Sequence, residues 1–374
     1  MKTSRILLTA ATALAVTLVP LSAEAGGKVS TVAGGLDSPR GLSFSPDGAL
    51  YVAESGRGGA GPCMAGPEGE VCYGKSGAVT RIDRGQQKRV LSGVPSLAAR
   101  DGSGAIGPSD VSFLGKGNMY VTVGLGANPA VRTNLPPKGQ QFMGWLLRNG
   151  KPVADIAGYE ATANPDGGEP DSNPNSVLAL PGGRVVVDAG GNSLLWVPDK
   201  GRIHTIATFP TRMATAPDGS QIPMQSVPTS VALGPDGALY VGELTGFPFP
   251  KGAARVYRVV PGKAPQVYAQ GFTNIIDIGF AHGKLYVLEI AHNGLLSGDP
   301  SGALIQVGKN GAQHIVTQQL TMPGGLALRD GKAYVSNCGA CPNPPGAPAA
   351  VRRGAHHQHH RIARAEVVVV DLHA

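Results

Sequence analysis

The sequence predicts an all-β fold: a six-bladed β-propeller of four-stranded antiparallel blades, with the N-terminal strand closing the last blade. Three observations carry that prediction. Gly (55) and Pro (31) are abundant among 374 residues, charged residues reach only 15%, and hydrophobic residues make up 42%. This composition suits many short strands joined by tight turns, and it excludes a coiled coil, a collagen or an acidic disordered chain. A hairpin motif also recurs six times, and its spacing matches that of propeller blades.

The first 25 residues are expected to stand apart from the fold. Lys2 and Arg5 precede an apolar run over residues 6–19, and Ala23-Glu24-Ala25 forms a small-residue cleavage signature. Together they read as a secretory signal peptide, shorter than the ~20 apolar residues of a membrane span. The mature chain is therefore expected to be exported to the periplasm or the medium, without a transmembrane segment. Of the formal charge of +7, about +6 remains after cleavage. Much of it lies in Arg352, Arg353, Arg361 and Arg364. No aromatic residues interleave with these, which argues against a nucleic-acid partner.

The repeat supplies the blades in order. Residues 38–54 read SPRGLSFSPDGALYVAE and residues 227–243 read VPTSVALGPDGALYVGE. Looser copies begin at Gly107, Asn173, Asn274 and Met322. In the first copy Leu42 and Phe44 alternate with small or polar residues, as in a half-buried strand. Pro46-Asp47-Gly48 then turns the chain, and Leu50-Tyr51-Val52 returns it. Further strand pairs follow, such as residues 78–82 with 88–91 and residues 255–259 with 266–268, giving four strands per unit. The landmarks Tyr51, Tyr120, Val186, Tyr240, Tyr286 and Tyr334 are 69, 66, 54, 46 and 48 residues apart. A bare blade needs roughly 40–50 residues, so the first three intervals carry loop insertions. After Tyr334 only one good strand remains, at residues 365–372, so residues 28–32 are expected to complete the sixth blade. Residues 26–374 thus read as one propeller domain, with a disordered basic His-rich insertion at about 342–362.

The repeat resembles the NHL, SMP-30 and strictosidine-synthase-like six-bladed propellers. The strings GPCMAGPEGEVCYGKSGAVTRI from Gly61 and GPSDVSFLGKGNMYVTVGLGANP from Gly107 resemble the ScyD/ScyE family, named for scytonemin biosynthesis. The resemblance runs over about residues 30–340. It implies a secreted propeller acting as a ligand-binding or accessory module, and it brings no catalytic residue with it. An SMP-30-like or strictosidine-synthase-like enzyme with a channel metal is the alternative, although the opening Glu of that metal site has no clear counterpart here. A cell-envelope protein anchored by the basic C-terminal segment is a third reading.

Several residues invite a chemical role. Cys63 and Cys72 lie in one Gly/Pro-rich loop and Cys338 and Cys341 form a C-x-x-C; in an exported protein two local disulfides are expected, with a redox dithiol or a zinc site as the alternatives. His356, His357, His359 and His360 suit a soft or borderline metal, or simply a solvated loop. The run NPDGGEPDSNPN over residues 164–175 offers Asp166, Glu169, Asp171, Asn173 and Asn175 as hard oxygen ligands for Ca²⁺ or another divalent metal. Turn chemistry explains the same residues equally well. Glu54, Glu243 and Glu289 recur at one repeat position and read as loop anchors. Where the repeat varies, at the opening of each innermost strand, Arg40, Ser109-Asp110, Asn175-Ser176, Thr229-Ser230 and Ile276-Asp277 form a polar ring. Arg40, Asp110, Asn175, Thr229 and Asp277 are the candidate ligand-binding residues of a central channel. Asp110 and Asp277, three blades apart, are expected to face each other. No catalytic residue and no cofactor is assigned. The chain is expected to be a monomer, with an unidentified small molecule or protein as its partner.

Overall fold

The computed structural model describes residues 27–341 and 365–373. The signal peptide and the His-rich segment expected from the sequence lie outside these residues. Six antiparallel sheets form the blades of a propeller. Blade one runs Pro39–Phe44, Leu50–Glu54, Gly69–Asp83 and Gln86–Ala98 from the inside out. Blade two runs Pro108–Phe113, Met119–Val123, Trp145–Arg148 and Lys151–Asp155, and blade three Pro174–Leu180, Gly183–Asp188, Ser193–Pro198 and His204–Thr208. Blade four is built from Pro228–Leu233, Leu239–Glu243, Ala254–Val259 and Gln266–Phe272. Blade five follows with Ile275–Ala281, Lys284–Glu289, Ser301–Val307 and Gln313–Thr321. Blade six takes Gly325–Arg329, Lys332–Asn337 and Glu366–Asp371 from the C-terminal end and Val29–Gly34 from the N-terminal end.

Each of the six sequence landmarks falls in the second strand of its blade. The turn between the first two strands is held by its own aspartate: in blade one Ser45 Oγ and the Ala49 N–H donate to Asp47 Oδ1, and Gly48 takes φ 89°. Blade one departs from the expected boundaries. Its outer strands extend well beyond residues 78–82 and 88–91, because the Gly/Pro-rich loop before them folds back as a further strand, Cys63–Gly66, paired Cys63 to Cys72. Two more insertions carry structure: a short helix, Ile156–Ala163, follows blade two, and the hairpin Arg212–Thr215/Gln221–Met224 precedes blade four.

A blade has two apolar faces and buries both against its neighbours. Accordingly the core consists of six hydrophobic clusters, one at each blade-to-blade interface. At the interface where the ring closes, Ala33 of the N-terminal strand and Val367 of the C-terminal strand pack with Leu42, Leu50, Val52 and Ile82 of blade one. The closing strand pairs with its partner from Val29↔Val370 to Gly34↔Glu366. Thr31 Oγ1 also donates to Glu366 Oε2 at 2.8 Å.

Removing residues 28–34 strips blade six of its outer strand and uncovers the interface with blade one. A loss on the order of several kcal/mol is expected, seen in calorimetry as a Tm lower by about 10 °C or more. An unchanged Tm would show that the N-terminal strand does not close the ring.

Candidate functional site

Six inner strands crowd around one axis, each packed against the next. In five of them the pairing with the second strand slips at one residue: Arg40-Gly41, Ser109, Asn175, Thr229 and Ile276. A bulged residue is released from its ladder and its side chain re-aimed. Here the re-aimed side chains reach sideways into the next blade. Ser109 Oγ donates to the Pro174 carbonyl at 2.8 Å, Asn175 Nδ2 to the Thr229 carbonyl at 2.7 Å, and Thr229 Oγ1 to the Ile275 carbonyl at 2.7 Å. Ser336 Oγ of blade six donates to the Arg40 carbonyl at 2.5 Å. The polar residues that the sequence places at the channel are thus the stitches between blades.

Asp110 and Asp277 occupy the next position and also bridge blades. Asp110 Oδ1 accepts from its neighbour's N–H, Val111, at 2.8 Å. Its Oδ2 accepts from Ser176 Oγ and from the Val177 N–H of blade three, both at 2.9 Å. Asp277 Oδ1 accepts from the Ile278 N–H at 2.8 Å, and Oδ2 from the Leu326 N–H of blade six at 2.7 Å. Gly41 of blade one closes on Asp110 so tightly that a Cβ there would stand 2.8 Å from its Cα. Both carboxylates keep some contact with water along the axis, while protein surrounds them. Desolvation therefore raises Asp110 to about 7 against the pull of its donors. It raises Asp277 well above the ordinary carboxylate range, with the charge of Asp110 adding to the push. Neither forms an ion pair among the described residues. Arg40 turns away from them: its Nη2 donates to the Ala105 carbonyl at 2.9 Å. Burial lowers its pKa to about 10, and the charge of Glu68 partly restores it.

The acid-rich loop does not join this ring as a unit. Asn175 belongs to the axis, Asn173 Oδ1 accepts from the Leu125 N–H at 3.2 Å, and Glu169 is exposed. Asp166 and Asp171 instead lie close to two acids that sequence reading missed, Glu160 and Asp188. Glu160 sits in the helix Ile156–Ala163, 1% exposed. Burial raises its pKa to about 7, with Asp188, Asp166 and Asp171 adding like charge. Asp188 was findable: it ends the second strand of blade three, in register with Glu54, Glu243 and Glu289.

That register position has one mechanical role. The acid receives the chain entering the blade: Glu54 accepts from the Asp37 N–H, Asp188 from the Asn173 N–H, Glu243 from Ser226 Oγ and Glu289 from the Thr273 N–H. Two of these acids hold a cation as well, Arg89 on Glu54 and Arg212 on Glu243. The Arg89 pair lines a polar cavity of about 390 Å³ with Asp37 and Lys88 beside blade one. On Glu289 the partner is His292, Nδ1 to Oε2 at 2.5 Å. A carboxylate-held imidazole is suited to proton transfer, but no hydroxyl or thiol hydrogen-bonds to it among the described residues. Cysteine chemistry is structural: Cys63 is bonded to Cys72 and Cys338 to Cys341, the two expected pairs. No helix among the described residues is long and apolar enough to cross a membrane.

No family model matches the chain, and no curated protein matches it. Solved structures similar in shape are distant in sequence. A virginiamycin B lyase from Staphylococcus aureus is 13% identical, with 84% of this chain and 97% of that one covered and a TM-score of 0.45. A protein of unknown function from Bacteroides thetaiotaomicron is 10% identical over 92% and 75% of the two chains, TM-score 0.48. A putative gluconolactonase is 12% identical over 92% of each, TM-score 0.46.

Two outcomes follow from the axis. Thr229→Val keeps the shape of a buried side chain but leaves the Ile275 carbonyl without its donor, so urea unfolding should show a loss of about 1–2 kcal/mol. An unshifted midpoint would deny the stitch any energetic weight. The second outcome concerns pH. A carboxylate raised to about 7 keeps its proton in the folded chain after the unfolded chain has lost it, so its contribution to stability falls as pH rises from about 4 to 7. Asp110→Asn removes that term and relieves Asp277 of a like charge. The stability advantage of the parent over Asp110→Asn should therefore shrink between pH 4 and 8, and an advantage that stays constant or grows would contradict the raised pKa.

Proposed function

We propose that the protein is an exported ligand-binding propeller, an accessory module of the ScyD/ScyE kind with no turnover of its own. Its ligand, in this reading, is a small polar molecule that brings a cationic or strongly donating group to the channel. The observation that carries the proposal is the pair Asp110 and Asp277, two carboxylates on opposite sides of one axis. Buried charges of like sign are costly unless paired, and Arg40 hydrogen-bonds the Ala105 carbonyl and forms no ion pair with either aspartate among the described residues. A carboxylate accepts about four hydrogen bonds. Asp277 has two filled by backbone N–H groups and Asp110 three, which leaves acceptor capacity for a donor arriving along the channel. The long motifs of blades one and two support the accessory role.

The test is calorimetric titration of the full mature chain at neutral pH with a panel of small ammonium and guanidinium compounds, in two buffers of different ionisation enthalpy. The expected result is binding by at least one probe with proton release, since an arriving cation lowers the pKa of Asp110. Affinity should fall at least about tenfold in Asp110→Asn/Asp277→Asn, a change of about 1.4 kcal/mol. Absence of binding across the panel, or equal binding by the double variant, would remove this reading. A stoichiometric divalent ion retained only when both aspartates are present, together with lactone hydrolysis, would put an SMP-30-like enzyme in its place.

A further inference from the structure

The strongest unexplained chemistry in the molecule lies beside blade three. Four carboxylates cluster here: burial and the charges of Asp188, Asp166 and Asp171 raise Glu160, and none of the four forms an ion pair among the described residues. Asp166 and Asp188 have their oxygens engaged. Asp166 accepts from the Gly168 N–H at 2.9 Å and from Asn192 Nδ2 at 2.9 Å. Asp188 accepts from Ser172 Oγ and the Asn173 N–H at 2.7 Å and from the Gly191 N–H at 3.2 Å. The other acids are not saturated. Glu160 is 1% exposed and its Oε1 has no hydrogen-bond partner, and the buried Asp171 Oδ1 and Asn164 Oδ1 have none either. Three buried oxygen acceptors without donors are expensive in a folded protein, and such groups point to an ion or ligand that satisfies them.

We propose that Glu160, Asn164 and Asp171, backed by the charges of Asp166 and Asp188, bind one hard divalent cation of the calcium class. The donor set consists of carboxylate and amide oxygens only, with no nitrogen or sulfur, which suits calcium and not zinc, copper or nickel. Glu160 comes from within the helix Ile156–Ala163 and the other two from the chain that follows it, Asn164 capping the helix in a left-handed conformation with its N–H on the Glu160 carbonyl. A loop of this kind adapts to the six to eight ligands and flexible geometry of calcium. The strand end opposite is shaped to leave room. A Cβ on Gly191 would stand 2.6 Å from Glu160 Oε2, and one on Gly190 would stand 2.7 Å from Asp171 Oδ1. Among the described residues no three of these acids bring their oxygens within 4.8 Å of one another. A cation would draw them together, with backbone carbonyls and water completing its shell.

The experiment uses the full mature chain, stripped with EDTA and then titrated with CaCl₂. Bound calcium is counted by elemental analysis, and Tm is recorded with and without the ion. Calcium also discriminates against the His-rich segment, whose imidazoles prefer softer metals. The expected result is one Ca²⁺ per chain below about 1 mM and a Tm higher by roughly 5 °C near saturation. Glu160→Gln should lower calcium affinity at least about tenfold. In EDTA the same variant should melt at or above the parent, because it removes one of four clustered charges. Asp110→Asn/Asp277→Asn should bind calcium as the parent does. No calcium bound at 1 mM, equal binding by Glu160→Gln, or a Glu160→Gln chain destabilised equally with and without calcium would each overturn the site. Calcium lost from the axis variant alone would move the ion to the channel and overturn it as well.

Discussion

Six strands share one axis, and the slip in the inner-strand ladder is what lets them do so as a polar assembly. A regular ladder directs successive side chains alternately onto the two blade faces, where inner-strand residues such as Val231 pack on the neighbouring blade. At Ser109, Asn175 and Thr229 the bulge turns a short donor onto the next blade's carbonyl. The same crowding explains why Gly41 faces Asp110, since any side chain there would occupy the space of the carboxylate. Apolar burial between blades supplies most of the stabilisation, but it is non-directional. The stitches at the centre add directional hydrogen bonds between neighbouring inner strands.

Aspartate serves this geometry at a cost. Where Ser or Thr can answer a single carbonyl, Asp110 and Asp277 answer backbone N–H groups on two strands at once. One donor lies on the aspartate's own strand and the other on the next blade, so the carboxylate ties the two together. Desolvation opposes the charge, the donors favour it, and in both residues desolvation prevails. The balance leaves Asp110 poised to exchange a proton near neutrality, a property that a purely mechanical stitch does not need and a binding site can use.

Repetition decided what was legible in the sequence. Six hairpins and their spacing give the blades, and the strand count of the last one gives the closure, because both are periodic signals in hydrophobicity and turn chemistry. The positions at the axis were readable for the same reason: once the copies are in register, Arg40, Asp110, Asn175, Thr229 and Asp277 stand in two adjacent columns. The bulge that aims them was not readable, since a slip of one residue leaves no mark in the alternation. Nor was the direction of Arg40, which depends on where the loop carrying Ala105 runs. Glu160 was missed because it lies in an insertion outside the repeat, and helical periodicity over eight residues carries little information. Conversely Glu169, set beside Asp166 and Asp171 by a run of similar residues, stays in solvent, because proximity in sequence within a turn-rich loop says little about direction.

The carboxylates separate by what their oxygens meet. Glu54, Glu243 and Glu289 each receive the incoming chain and then a basic side chain, which on Glu243 and Glu289 offsets only part of the desolvation. Asp110 and Asp277 lack the basic side chain and hold backbone donors instead, which stabilises part of the charge and leaves a residue of strain at the axis. Asp188 fills the same repeat position as the three glutamates, receives the chain as they do, and has no basic partner; beside it stand three more acids. If the position were only an anchor, blade three would be expected to carry an arginine or histidine as blades one, four and five do. It carries Glu160 in that region, with an oxygen that nothing in the described protein answers. A fold that answers this position with its own basic side chains in three blades, and surrounds it with further negative charge in a fourth, is suited there to a cation drawn from solution.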